Sequence, residues 1–222
     1  MRYYKFTISL SNDDGRISSS ASVDKIPNIE NLFEKIRYGE IMENFPIIDS
    51  FYLESYDEEK YWENQKNDIH TLIGKVNILI GWYVSEDLKS LLENFKIAPK
   101  YNFYETILLY KGSKFKYWIF QFPIDQFEII DFQKSKFSLD GEYTLYNFSS
   151  KEDYLSFYRT EYRSTKRKLK IVQQVLVDSY DIFATTNNDK VMSEKLKNSI
   201  EKMGLTGFEF SEVDYEIVVE KS

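Results

Sequence analysis

Few residues in this chain could do chemistry by themselves. The 222 residues include one histidine, His70, and no cysteine. Thiolate catalysis, disulfides and cysteine-ligated zinc are therefore excluded. A Ser–His–acid triad would have to use His70, yet it lies in NDIHTLIG with no nucleophile elbow around it. A packed or solvated structural histidine is the simpler reading. Carboxylates are plentiful, but Asp13-Asp14 and Asp57-Glu58-Glu59 are chain neighbours. Neighbours do not share a face as i, i+4 pairs do, so solvated acidic loops are the simpler reading here too. Any two distant acids could still form a hydrolase pair. The glycines make no P-loop, dinucleotide fingerprint or calcium loop. No cofactor and no metal follow from these residues.

Charge is segregated late in the chain. Arg159, Arg163, Lys166, Arg167 and Lys170 fall broadly along one side of a helix, and Tyr154, Leu155, Phe157 and Tyr158 supply an apolar side. A basic helix with aromatics could contact RNA or a phosphate. A solvated cationic face that complements the helix C-terminus is the simpler reading, because the whole chain carries a net charge of −7. Asp178, Asp181, Asp189, Glu209, Glu212, Asp214 and Glu216 then turn the sequence negative. An acidic surface repels nucleic acid and anionic membranes and attracts a basic partner.

The elements that must carry these residues read as follows. Residues 3–10 alternate as a first strand, and 11–22 are small and polar, a loop. Pro27 to Met42 holds a short helix on Leu32, Phe33, Ile36 and Ile41, with a strand over Ile47 to Tyr56. Asn77 to Val84 is apolar enough for a central strand. Ser85 caps a second helix with Leu88, Leu91, Leu92 and Phe95 at i, i+3, i+4, i+7. Tyr101–Tyr110 and Lys114–Phe122 form a hairpin about Lys111-Gly112-Ser113. Tyr143 to Phe148 is a strand, Ser149 or Ser150 caps a helix to about Lys168, and Lys170–Val177, Ile182–Thr185 and Tyr215–Val219 are strands.

The most fully specified stretch is Lys190 to Phe210, KVMSEKLKNSIEKMGLTGFEF. Ser193 is an N-cap, and Leu196, Ile200 and Met203 share one helical face. Gly204 stops the helix, Leu205 folds back on its last turn, Gly207 permits a second turn, and Phe208-Glu209-Phe210 alternates like a strand. Ser85-Glu86-Asp87-Leu88-Lys89 echoes Ser193-Glu194-Lys195-Leu196-Lys197 at one constant offset. Either the chain holds a duplicated strand–helix unit, or two good helix starts have converged.

This stretch, with Lys116 to Phe137 upstream (KYWIFQFPIDQFEIIDFQKSKF, including Asp131, Ser135 and Phe137), resembles a bacterial immunity-protein family of polymorphic toxin systems, immunity family eleven. The resemblance covers roughly the C-terminal half. It implies a non-enzymatic protein that binds a cognate toxin; a cytoplasmic location is expected from the absence of signal-peptide chemistry and of a membrane-spanning run. Ser193, Gly204, Leu205, Thr206, Gly207 and Phe208 are then fold residues. The toxin, expected to be basic, would dock on Asp178, Asp181, Glu209, Glu212 and Asp214. A carboxylate hydrolase, or an RNA-binding module using Arg159–Lys170, are the alternatives. With 42% hydrophobic residues, 18 Tyr and 17 Phe, the chain can bury a real core. The start lacks signal-peptide chemistry, and no apolar run is long enough to cross a membrane. The expected fold is α+β, mostly antiparallel sheet with three or four packed helices. It forms one domain over 1–222, with 1–98 and 99–222 as the alternative division into lobes.

Overall fold

The structure, a computed structural model, describes residues 1–9, 20–23, 29–54, 66–71, 81–122 and 127–220. Over these the chain runs β1 (Tyr3–Ile8), β2 (Ser20–Val23), α1 (Ile29–Arg37), β3 (Ile48–Glu54), β4 (Ile69–Thr71), β5 (Trp82–Ser85), α2 (Glu86–Leu92), β6 (Asn102–Tyr110), β7 (Ser113–Gln121), β8 (Lys136–Leu139), β9 (Leu145–Tyr146), α3 (Lys151–Thr165), β10 (Leu169–Leu176), β11 (Ile182–Ala184), β12 (Lys190–Ser193), α4 (Glu194–Met203), β13 (Phe208–Glu212) and β14 (Glu216–Val219). The α+β expectation holds. Three sheets form, ordered β2-β3-β6-β7-β5-β4, β11-β12-β1-β13 and β14-β10-β8-β9. Pairing is antiparallel except for β3 with β6 and β10 with β14. The six-stranded sheet takes strands from both sides of residue 98.

Local chemistry accounts for several elements. Lys111 and Gly112 take φ of 49° and 79°, the mirror-image turn whose twist suits a two-residue hairpin between β6 and β7. Gly204 at φ 66° ends α4: its N–H donates to the Glu201 carbonyl and that of Leu205 to the Ile200 carbonyl, a Schellman stop. Gly207, at φ 97°, brings its backbone so close to β4 that a Cβ would lie 2.5 Å from the Ile69 carbonyl oxygen.

Three cores separate the layers. Phe33 and Ile36 of α1 pack on Phe51, Tyr83, Tyr104, Leu108, Tyr117 and Ile119 on one face of the large sheet. Its other face meets the β1 sheet through Trp82, Val84, Phe120, Phe6 and Met192, with Leu88 and Leu92 of α2 and Leu196 and Ile200 of α4. The far face of the β1 sheet, with Tyr3, Phe183 and Val191, packs against Phe137, Leu139, Leu169 and Ile171 of the third sheet and Tyr154 of α3.

The echo between Ser85 and Ser193 extends through most of two half-molecules. Ser85 and Ser193 cap α2 and α4 with φ, ψ of −69°, 163° and −68°, 151°. Each hydroxyl accepts from the third residue on, Leu88 or Leu196, at 3.2 Å. Each also donates at 2.7 Å to an aspartate, Asp68 or Asp181, at the start of the preceding strand. In the strand registers, Val84 faces Trp118 as Met192 faces Tyr4, Trp118 faces Glu105 as Tyr4 faces Glu212, and Phe120 faces Phe103 as Phe6 faces Phe210. Thus β4-β5-β7-β6 and β11-β12-β1-β13 are equivalent sheets, and β1, from the start of the sequence, fills the place that β7 fills in the other half.

The surface decoration matches as well. Trp118 Nε1 donates to Glu86 at 2.6 Å and Tyr4 Oη to Glu194 at 3.4 Å. Lys89 lies over Trp118 and Lys197 over Tyr4, and they pair with Glu93 and Glu201 one turn on. The halves are also interlocked. The second oxygen of Asp181 accepts from the Lys96 N–H beyond α2 at 3.0 Å, and that of Asp68 from the Thr206 N–H beyond α4 at 2.8 Å. The aspartate N–H groups return the contact to the Lys96 and Thr206 carbonyls. Each half thus holds the segment that follows the other half's helix, the reciprocity of a twofold interface. Elements β2, α1 and β3, and residues 127–176, stand outside this pairing.

Some expectations are corrected. Ser20–Ser22 was expected in a loop but belongs to β2, paired antiparallel with β3. Of the Asn77–Val84 strand, the described part forms β5, Trp82–Ser85; at Gly81, φ 150°, a Cβ would lie 2.1 Å from the Phe120 carbonyl oxygen. Residues 77–80 lie outside the described residues. Tyr143–Phe148 shrinks to β9, with Tyr143 wholly exposed. Lys190–Ser193 is a strand, β12, where only a helix cap was expected.

Candidate functional site

His70 is wholly buried, and its Nε2 accepts the Asn67 N–H at 3.1 Å. That bond fixes the neutral tautomer with the proton on Nδ1. The ring is a packing element beside Tyr117, out of reach of any substrate in solvent. Asp13-Asp14 and Asp57-Glu58-Glu59 lie outside the described residues. Among the described residues, no cluster of three or more His, Asp or Glu side chains could hold a metal ion. No described helix is long and apolar enough to cross a membrane.

The five acids expected to form one dock are divided. Asp178 and Asp181 precede β11, at one edge of the β1 sheet; Glu209 and Glu212 lie on β13 at the opposite edge, with Asp214 just beyond. Three strand spacings, about 14 Å, separate the two groups. Glu209 and Glu212 also point to opposite faces of their strand. Most are already engaged. Asp181 is committed to Ser193 and the Lys96 N–H. Lys96 pairs with Asp178 and Arg2 with Glu212, while the Ser9 hydroxyl donates to Glu209. The Lys96 ammonium holds the Asp178 carboxyl below its ordinary pKa, and the Lys5 ammonium, 2.5 Å away, does the same for Asp214. Burial works against the Lys5 charge, but Asp214 and Asp189 outweigh it and raise its pKa.

The fold residues sit where the local signals place them. Ser193 is buried, and Gly204, Leu205, Thr206 and Gly207 form the stop, the interlock and the close approach to β4. Phe208 begins β13 and packs its ring 6.1 Å from Phe6. Burial perturbs groups that the sequence did not mark: Lys190 is pushed down to about 8, Tyr3 is pushed up to about 12, and the Tyr83, Tyr117 and Tyr215 hydroxyls are raised as well.

The other charged candidate is α3. Ser150 caps it, and Lys166 at φ 61° ends it. Tyr154, Leu155, Phe157 and Tyr158 face the core, against Phe127, Phe132, Phe137 and Phe148. Tyr154, Tyr158 and Tyr162 stack in sequence at 6.4 and 6.0 Å, from the buried face to the surface. Arg167 turns back to Glu142 and Glu161, and Lys170 to Asp140, so two of the five expected cations serve the fold. Arg159, Arg163 and Lys166 are exposed. Among the described residues none of these three has an ion-pair partner.

The model of a family described as Immunity protein family (Imm11) matches residues 28–215. The match reaches back to the start of α1, well beyond the C-terminal half in which the sequence shows the resemblance. No curated protein matches the chain.

Proposed function

Because the chain belongs to the Imm11 immunity protein family, we propose that it neutralises a cognate toxin of a bacterial polymorphic toxin system by binding it in the cytoplasm of the producing cell. Family membership carries this reading. Inhibition needs only a complementary surface with a few well-placed anchors, and no reacting groups of its own. The burial of His70 and the commitment of Asp181 and Asp68 to helix caps support a binding role over an enzymatic one. A self-protecting cell needs slow release, so the contact should be of standard size, on the order of 1,600 Å², or larger.

The test is co-expression with the toxin domain encoded beside this gene, followed by size-exclusion chromatography and growth rescue. A stable complex with restored growth is expected. Restored growth without a complex would point instead to reversal of the toxin's chemistry.

A further inference from the structure

We propose that the toxin docks on the outer face of α3, through Arg159, Tyr162, Arg163 and Lys166, and that it presents a carboxylate-rich protein surface there. This inference rests on the toxin-binding reading above. The four residues recur at i, i+3, i+4 and i+7 and so form one stripe along the helix. Tyr162 is 41% exposed at the outer end of the tyrosine stack, and the Lys166 ammonium lies 5.7 Å from its ring centre. Arginine and tyrosine are the side chains that most often anchor protein interfaces.

Folding does not explain the stripe. The two i, i+4 ion pairs on the shorter helices join opposite charges, Lys89 to Glu93 and Lys197 to Glu201. Arg159 and Arg163 put like charges at that spacing, which disfavours an isolated helix. The helix dipole can account for Arg163 and Lys166 near the C-terminus, but not for Arg159 a turn earlier or for an exposed tyrosine between them. Arg2 and Arg167 are both paired with carboxylates in the fold, whereas Arg159 and Arg163 are left with their forks free. Free guanidinium groups pair with carboxylates, as with phosphates, two parallel hydrogen bonds at a time.

The occupant is a protein surface because the partner proposed above is a toxin protein, and an exposed tyrosine between arginines is the composition of a protein-interface anchor; the net charge of −7 opposes a polyphosphate and an acidic protein patch alike, so the local cationic stripe selects the acidic patch. The face also belongs to the part of the chain outside the two equivalent halves, so it can vary without disturbing their interlock.

The experiment compares three full-length proteins: wild type, Arg159→Glu/Arg163→Glu, and Glu209→Lys/Glu212→Lys. Circular dichroism and melting temperature check each fold. Each is titrated by biolayer interferometry against the inactivated toxin domain encoded beside the gene, and against a labelled 20-nucleotide RNA. The arginine reversal should weaken toxin binding at least about 100-fold with an unchanged melt, while the glutamate reversal stays within about threefold. Toxin binding kept by the arginine reversal, with wild type binding tightly, would overturn the α3 assignment and leave the toxin-binding reading intact. Loss in the glutamate reversal alone would return the dock to β13. Tight RNA binding that only the arginine reversal abolishes, with toxin binding unmoved, would overturn it in favour of nucleic acid. Failure of wild type to bind the toxin would remove both readings.

Discussion

Removing either interlocking aspartate should cost nearly the same stability, and removing both should cost less than the sum. Asp68 accepts from Ser85 Oγ at 2.7 Å and Thr206 N–H at 2.8 Å; Asp181 accepts from Ser193 Oγ at 2.7 Å and Lys96 N–H at 3.0 Å. Two charge-assisted hydrogen bonds at about 1.5 kcal/mol each put either Asp→Ala change near 3 kcal/mol. Asp68 also accepts from Thr206 Oγ1 at 3.2 Å, so Asp68→Ala should sit at the upper end. Both locks hold one interface, where α2 meets α4 around Leu88, Leu92, Leu196 and Ile200. Once one lock is open the other secures less, so the double variant should fall short of additivity by about 1 kcal/mol. Urea unfolding of the four full-length proteins, followed by far-ultraviolet circular dichroism, closes the cycle. Additivity within about 0.5 kcal/mol, or one variant near wild type while the other loses about 3 kcal/mol, would refute the paired-lock account.

Other consequences are checked by melting temperature and pH titration. Gly207→Val should destabilise the chain by more than about 2 kcal/mol, since φ is 97° and a Cβ would strike the Ile69 carbonyl; an unchanged melt would show that β4 can move aside. Ser85→Ala and Ser193→Ala should each cost about 1 to 2 kcal/mol, as equivalent caps would. Lys190→Met should stabilise the protein, because burial disfavours the ammonium and lowers its pKa from 10.5 to about 8. Between these values the unfolded chain binds the extra proton, so the lysine's penalty fades as pH rises from about 8 towards 10. The advantage of the methionine variant should therefore be full at pH 7 and shrink by pH 10; an advantage constant with pH would assign it to packing alone.

The helices and tight turns were legible because their signals are local. Ser193 with its apolar spacing, Gly204 as a stop, and Lys111-Gly112 between alternating runs each need only a few neighbours. What joined these pieces is long-range and left no local mark. The KVMS of β12 is too short to alternate clearly, and it becomes a strand by pairing between β11 and β1, the latter from the other end of the chain. The matched Ser85 and Ser193 showed in the sequence, but the equivalence of Trp118 with Tyr4 did not, because β7 follows its helix whereas β1 opens the chain. The placement of the acids was not legible for the same reason. Their number is visible in the sequence, yet their neutralisation by Lys96, Arg2 and Lys5 and their spread over two sheet edges depend on the fold. On α3 the cationic side was legible. That Arg167 and Lys170 are tied down, while Arg159 and Arg163 are free, was not.

Sequestration is tested most directly by titrating the activity of the neighbouring toxin domain with the full-length chain at a toxin concentration well above the dissociation constant. Sequestration predicts a linear fall to zero activity at one equivalent. Abolition of activity by a small fraction of an equivalent, or full activity at a large excess, would contradict it.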